Sequence, residues 1–437
     1  MISNLTTQSK TLTNEQFTKK RNVILVASCV ANLCVGSIYS WSVFSTPMAQ
    51  HFALTQNIAT PDLSFVFTIT TIMSTLMMIF GGIINDKLGP KQVVLVGSVL
   101  FGGGMFASGF ATSPLMLMFT YGVCLGLGEG LVYGSLLSNA VKSYPDKPGT
   151  AGGIITTFYG LSSVFMPVIA NVLIEAVSIT FAFQSLGIVM FLLIAFVSTR
   201  VQAPPSNYFP ESNSKGHSRK SKNREVSDIG TTMQTVSALD YQNNLTWKEM
   251  IRTPQFYLMF IMLLCSAFSG LMIISQASPI AQGLVGFSVS QAAFAVSVLA
   301  LFNTLGRLVS GFVCDRLGVI ATLRIIFSGM LIGLLGLIFV SPGNSLVFYA
   351  GLCLIGFGYG STMSVYPAFC AEQFGRAHNS VNYGVLFVAF SVAGILGPQI
   401  MSGIFATFSI YQPAFIIAAI LVIISLAITI IFQRKYA

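Results

Sequence analysis

Apolar residues along this chain neither alternate with polar ones at the period of a strand nor mark a single stripe of a helix. They form long runs separated by short polar connections. Twelve such runs are present, at roughly 23–49, 62–85, 91–111, 114–141, 149–174, 178–200, 254–284, 289–313, 319–341, 344–371, 380–408 and 411–433. At about 1.5 Å of helical rise per residue, each is long enough to cross most or all of a ~30 Å hydrocarbon core. Only helices and closed barrels satisfy their backbone groups in lipid, and these runs lack the dyad alternation of barrel strands. The pattern predicts an all-α membrane protein of twelve transmembrane helices.

The polar intervals divide the runs six and six. The expected organisation is an N-terminal tail (1–22), a six-helix bundle (23–200), a central loop (201–253), a second six-helix bundle (254–433) and a short tail (434–437). The central loop contains "QAPPSNYFPESNSKGHSRKSKNREVSD", which is Pro/Ser-rich, basic and too polar to fold alone. Its end, "LTWKEMIRTPQF", is expected to form a short surface helix leading into the seventh span. The halves also echo each other. "GGIINDKLGPK" (81–91) follows the second span and "SGFVCDRLG" (310–318) the eighth, and aligned on Asp86 and Asp315 both read Gly-x-x-x-Asp-[Lys/Arg]-x-Gly. Repeated halves joined by a long polar loop suit a rocking transporter whose site lies between the repeats.

Composition narrows the class. With 54% hydrophobic and only 8% charged residues, this is no ordinary soluble domain, in which charged residues approach a quarter. Of the 22 Lys and Arg, 21 gather in the tails, the central loop and the even-to-odd connections, the remaining one being Arg307, whereas connections such as "AQHFALTQNIATPD" and "SPGN" carry none. By the positive-inside rule both termini are expected in the cytosol, with the chain multi-pass in the cell (inner) membrane. The net charge of +9 then reports topology and does not indicate a nucleic-acid partner. The polar first twenty-odd residues show no cleavable signal pattern, so the first span is expected to serve as the insertion signal. The seven cysteines lack CxxC spacing or His partners and read as small packing residues, so no metal and no cofactor is expected. The sequons at Asn4 and Asn244 fall on segments expected in the cytosol, where they carry no glycan.

Two ionisable residues stand deep in spans. Arg307 precedes Asp315 by about 12 Å of helix, and a cation at such depth costs about 2.5–3.5 kcal/mol on insertion scales. A guanidinium offers a planar, permanently charged fork suited to a carboxylate. Asn303 lies one turn away on the same face. Glu129 lies about 20 Å of helix from Lys142, with Tyr133 at i+4 on its face. Three readings of Glu129 stand open: a protonatable coupling group, a direct partner of Arg307, or the receptor for a substrate's ammonium. Trp41 is rotated away from Tyr39 and is expected against lipid or a neighbouring helix. Two charged groups do not make a catalytic cluster, so an embedded enzyme is excluded in favour of transport.

The loop motif at 82–91 and its second copy resemble the signature of the major facilitator superfamily. The stretches "GSIYSWSVFSTP" (36–47), "GLGEGLVYG" (126–134), "YPDKPGTAGG" (144–153), "IRTPQFY" (251–257), "LFNTLGRLVSGFVCDRLG" (301–318), "YPAFCAEQFG" (366–375) and "NYGVLFVAFSVAGILGP" (382–398) resemble, in order, the oxalate/formate antiporter family, which is related to the monocarboxylate transporters. The resemblance implies a fold of two pseudo-symmetric six-helix bundles and alternating access. It implies that Arg307 binds a substrate carboxylate and that Tyr39, Tyr133 and Tyr359 line the central cavity. It implies a conformational gate at Asp86, Lys87, Lys91, Asp315 and Arg316. Three positions depart from the family. Asn303 stands where monocarboxylate transporters often carry a proton-coupling aspartate, Met363 where the oxalate subgroup has an aromatic, and Phe390 where that subgroup has a lysine. Glu129 is a fourth departure, an acid in a stretch that is mostly small or apolar in the family. The expectation is a monomeric secondary transporter of a small monocarboxylate, by exchange or with protons as partner. The alternatives are a zwitterion carrier using Arg307 and Glu129, and a substrate-sensing transceptor.

Overall fold

The computed structural model describes residues 13–436 except 57–59, 62, 206–207, 209–243 and 342. Most of the expected N-terminal tail and central loop, with the Asn4 sequon, lies outside the described residues. Twelve helical spans are long and apolar enough to cross a membrane: α1 (Asn14–Thr55), α2 (Phe65–Leu88), α3 (Pro90–Ser108), α4 (Pro114–Ser143), α5 (Pro148–Ala176), α6 (Ile179–Arg200), α7 (Pro254–Ser275), α8 (Ser290–Leu317), α9 (Val319–Ile338), α10 (Ser345–Phe374), α11 (Asn379–Phe408) and α12 (Gln412–Tyr436). With twelve spans among the described residues, the start of α1 and the end of α12 fall on the same side of the bundle, the termini face.

Several boundaries differ from the hydropathy pattern for local reasons. α1 starts earlier, because Thr13 and Gln16 form a reciprocal capping box that supports a polar first turn. It then tightens into a 3₁₀ turn at Gly36–Ser40 and resumes as a helix through Gln56. The seventh run is broken at Gln276, after which a separate short helix, Ala277–Val285, follows. α4 carries a π-helical stretch at Met118–Leu125, just before Glu129. Arg324 stands inside α9 and donates to the carbonyl and hydroxyl of Thr429 on α12. The short surface helix before α7 is present at Trp247–Met250, capped by Thr246 and Glu249.

The internal repeat has a backbone basis. Gly89 (φ 83°) and Gly318 (φ 80°) each end the helix that carries the motif's aspartate, and only glycine adopts this conformation cheaply. Across the two halves, α5 packs on α8 and α2 on α11. The α5–α8 approach is backbone to backbone: a Cβ on Gly311 would stand 2.5 Å from the Gly149 carbonyl oxygen.

The halves are joined at the termini face. Asp315 accepts from the backbone N–H groups of Gly149 (2.8 Å) and Thr150 (2.7 Å), at the N-terminus of α5. Asn85 of α2 donates to Ser380 of α11 (3.0 Å), and Ser380 bonds Ser138 of α4 (2.8 Å). Lys142 pairs with Asp86 (2.9 Å) and reaches over to the Ala377 carbonyl (3.1 Å). These contacts close the molecule on that side.

Candidate functional site

Arg307 projects from α8 toward α5 and is only 2% exposed. Its Nη1 donates to the Thr156 carbonyl of α5 (3.0 Å) and its Nε to Asn303 Oδ1 (3.2 Å), so the expected α8 neighbour does meet it. Gly160 lies against the guanidinium: a Cβ there would stand 3.1 Å from Nε. Neither partner is an acid. Arg307 is thus seated by two neutral acceptors, and its charge is uncompensated by any ion pair within 4 Å among the described residues.

Glu129, also 2% exposed, belongs to the other half. Ser74 of α2 donates to its Oε2, and the Tyr159 hydroxyl of α5 to its Oε1 at 2.8 Å. The direct Glu129–Arg307 pair weighed from sequence is not formed in this conformation. The reason lies in α5, whose turn from Thr156 to Gly160 supplies a partner to each charge and stands between them. The two remaining readings of Glu129, a protonatable coupling group and a receptor for an ammonium, stay open for a buried carboxyl that accepts from Ser74 and Tyr159.

Aromatic rings fill the space between the charges. Tyr133 packs on Tyr159 at 4.5 Å, and Tyr39 meets Tyr159 edge-on at 5.6 Å. From the second half, Phe387 stacks on Phe390 at 4.6 Å, and Phe390 lies 6.4 Å from Tyr359. Tyr133 and Phe387, 6.3 Å apart, close the chain across the interface, with Tyr383 beside Phe387 at 5.6 Å. Tyr39, Tyr133, Tyr359 and Tyr383 all lie within electrostatic reach of Arg307. Tyr39, Asn303 and Phe387 keep part of their surface exposed, while the other members are buried. Trp41 faces a neighbouring helix, its ring 4.6 Å from Tyr121. Met363 is buried.

The structure therefore brings together Arg307, Asn303, Glu129, Tyr39, Tyr133, Tyr359 and Phe390. It adds Tyr159, Ser74, Thr156, Tyr383 and Phe387, which sequence reasoning missed. For Tyr383 and Phe387 a signal existed, because both flank Phe390 at helical spacing; for Ser74 and Thr156 there was none. At the termini face, Asp86 and Asp315 sit in the contacts that join the halves. Lys87, Lys91 and Arg316 do not: they are exposed and form no ion pair among the described residues. Lys87 and Arg316 each directly follow the aspartate and so lie about 100° round the helix from it, and Lys91 belongs to the next helix, α3. The lysine that meets Asp86 is Lys142, from the end of α4. No group of three or more His, Cys, Asp or Glu residues is placed to hold a metal among the described residues.

Known proteins agree with this architecture. The model of the Major Facilitator Superfamily matches residues 29–398. An uncharacterized MFS-type transporter of Escherichia coli K12, YhjX, is 29% identical over 388 residues, covering 88% of each chain. The oxalate:formate antiporter of Oxalobacter formigenes is 26% identical over 407 residues, covering 93% of this chain and 89% of its own. Among solved structures, the proton:xylose symporter XylE bound to 6-bromo-6-deoxy-D-glucose superposes with a TM-score of 0.73 over 96% of both chains at 13% identity. That likeness shows the fold. With twelve spans, a buried polar centre between two halves and a family model covering most of its length, this multi-pass membrane protein belongs to the major facilitator superfamily and is a transporter, not an enzyme.

Proposed function

We propose that the protein carries a small monocarboxylate across the cell (inner) membrane by alternating access, as a monomer. Arg307 is the anion anchor and Glu129 the group that takes up and releases a proton. The observation that carries this reading is Arg307 itself. It is a buried cation between the halves, held only by neutral oxygens, in a ring of aromatic side chains. A guanidinium so placed gains most from a ligand that brings its own negative charge and accepts both arms of the fork. The ring of Tyr39, Tyr133, Tyr359 and Phe390 suits a compact apolar or hydroxylated body. The relationship to an oxalate:formate antiporter supports a carboxylate as cargo.

The positive-inside rule makes the termini face cytosolic, with the bundles at 23–200 and 254–433 in the membrane. The contacts at Asp315, Asn85 and Lys142 then make this a state closed toward the cytosol. The rival reading, a carrier of zwitterions, has Glu129 receive the ammonium. Against it, both oxygens of Glu129 already accept hydrogen bonds from Ser74 and Tyr159.

Uptake of labelled L-lactate into proteoliposomes tests the proposal. Removing one partner of a buried charged contact costs about 2–5 kcal/mol, roughly thirtyfold or more in affinity. Arg307→Ala should therefore abolish saturable uptake, and Arg307→Lys, which keeps the charge but loses the fork, should retain only a small fraction. Near-normal uptake by Arg307→Ala would remove the anchor from the mechanism.

A further inference from the structure

The way Arg307 is held raises the question of what a ligand displaces. Its Nη1 donates to the Thr156 carbonyl, which belongs to the opposite half. In a helix that carbonyl also accepts from the N–H four residues on, at Gly160, and its second lone pair is open only if nothing covers it. A side chain at residue 160 would cover it. Gly160 has none, and the guanidinium lies in the space: a Cβ would stand 3.1 Å from Nε, 3.2 Å from Cδ and 3.4 Å from Cζ of Arg307. Two turns from Gly160, a Cβ on Gly153 would stand 2.9 Å from the Arg307 carbonyl oxygen, so the α5 backbone approaches the α8 backbone closely here. The seat lies two turns from the Asp315 contact with Gly149 and Thr150, on the same pair of helices.

We infer that Gly160 and the uncovered Thr156 carbonyl form a seat in which Arg307 latches the two halves together at the termini face, and that a carboxylate opens the latch by taking the guanidinium over. This rests on the reading of Arg307 as the anion anchor. The competition has a clear sign. The seat offers one hydrogen bond to a neutral carbonyl, whereas a carboxylate offers two parallel charge-assisted bonds. Gly160 is then a positioning residue: it touches Arg307, and it acts on the cycle through where Arg307 can rest. An empty carrier stays closed on the termini face, and loading loosens the α5–α8 contact on the side where the cargo must leave.

Cys314 supplies a native reporter. It sits in the α5–α8 contact, 5% exposed, 3.1 Å from where a Cβ on Gly149 would stand. Its alkylation by N-ethylmaleimide, followed by peptide mass spectrometry on the purified full chain, reads separation of the helices. In the wild-type protein labelling should be slow and accelerated by L-lactate. Gly160→Ala crowds the seat, and Arg307→Ala empties it. Both should raise the ligand-free rate about tenfold, the equivalent of one hydrogen bond to a charged group, and make it insensitive to L-lactate. Arg307→Lys, a milder change should the alanine variant fold poorly, should fall between. Gly329→Ala in α9 is the control, since a Cβ there meets nothing closer than 3.9 Å and labelling should match wild type. If L-lactate accelerates labelling of wild type while Gly160→Ala and Arg307→Ala label at its slow rate, the latch is overturned and the carboxylate reading stands. If both variants label fast while neither L-lactate nor oxalate changes the wild-type rate, the latch stands and the carboxylate reading fails, together with release by cargo.

Discussion

At the scale of single residues, Glu129 is the group whose chemistry most constrains the transport mode. Ser74 and Tyr159 both donate to it, an arrangement that satisfies an ionised carboxylate. Protonation turns one oxygen into a donor and weakens it as an acceptor, so the hydroxyl bonded to that oxygen is held less firmly. Tyr159 is the consequential one, because its ring packs against both Tyr133 and Tyr39. On the proposed reading, a proton on Glu129 changes the wall that faces the cargo. Glu129→Gln keeps the shape and one carbonyl acceptor but cannot titrate. Uptake by this variant, measured across external pH, should lose the dependence that wild type shows while keeping its affinity for L-lactate within a few-fold. A wild-type pH profile surviving in Glu129→Gln would take the proton out of the cycle and favour obligatory exchange. Little of this environment could be read in the sequence. The depth of Glu129 and Arg307 was legible, since a charge in an apolar run is conspicuous. Their partners were not, because Ser74, Thr156 and Tyr159 are common residues on other helices and nothing local marks them as neighbours.

At the scale of elements, the spans were legible because lipid demands unbroken apolar stretches and closed backbone hydrogen bonding. What escaped was irregularity inside a span. The 3₁₀ turn at Gly36–Ser40 and the π stretch at Met118–Leu125 are set by packing against neighbours, which hydropathy does not report. The repeat motif was legible as sequence, but its two copies do different work. Asp315 reaches across to the N-terminus of α5, where two backbone N–H groups and the helix dipole favour a negative charge. Asp86 stays within its own half on Lys142, and it is the lysine that crosses to the Ala377 carbonyl. The α2–α11 side is held instead by Asn85, Ser138 and Ser380. The two aspartates should therefore be unequal. Asp315→Asn removes a charged cap and should depress the maximal rate of uptake strongly, on the order of tenfold, with the half-saturation concentration little changed. Asp86→Asn should have a smaller effect in the same direction. Equal effects, or loss of binding in either variant, would show that these contacts do not act as a graded lock.

At the scale of the whole molecule, the site is a meeting of two unlike halves, and the proposed function has their charges select the cargo. The first half contributes Glu129 with Tyr39, Tyr133 and Tyr159; the second contributes Arg307 with Tyr359, Phe387 and Phe390. One cation and one acid thus face the interface. The resemblance to oxalate carriers places a second cation at the position of Phe390. Here that position is a phenyl ring stacked on Phe387, 8% exposed and 6.4 Å from the ring of Tyr359. A dianion would put one carboxylate on Arg307 and leave the other against aromatic rings, near an acid, stripped of water and unpaired. Burying a charge without a partner costs several kcal/mol, which outweighs any gain from a closer fit. A monocarboxylate meets no such cost, and its body rests on the Phe390–Tyr359 wall. L-Lactate uptake should therefore be inhibited by other small monocarboxylates and scarcely by oxalate. Phe390→Lys restores a second cation next to Tyr359 and should shift the preference toward oxalate, read as the ratio of inhibition constants for oxalate and a monocarboxylate. Its direction is the decisive outcome: an unmodified protein that transports oxalate tightly and saturably, or a Phe390→Lys variant whose ratio does not move, would mean that the charge balance of the two halves does not set selectivity.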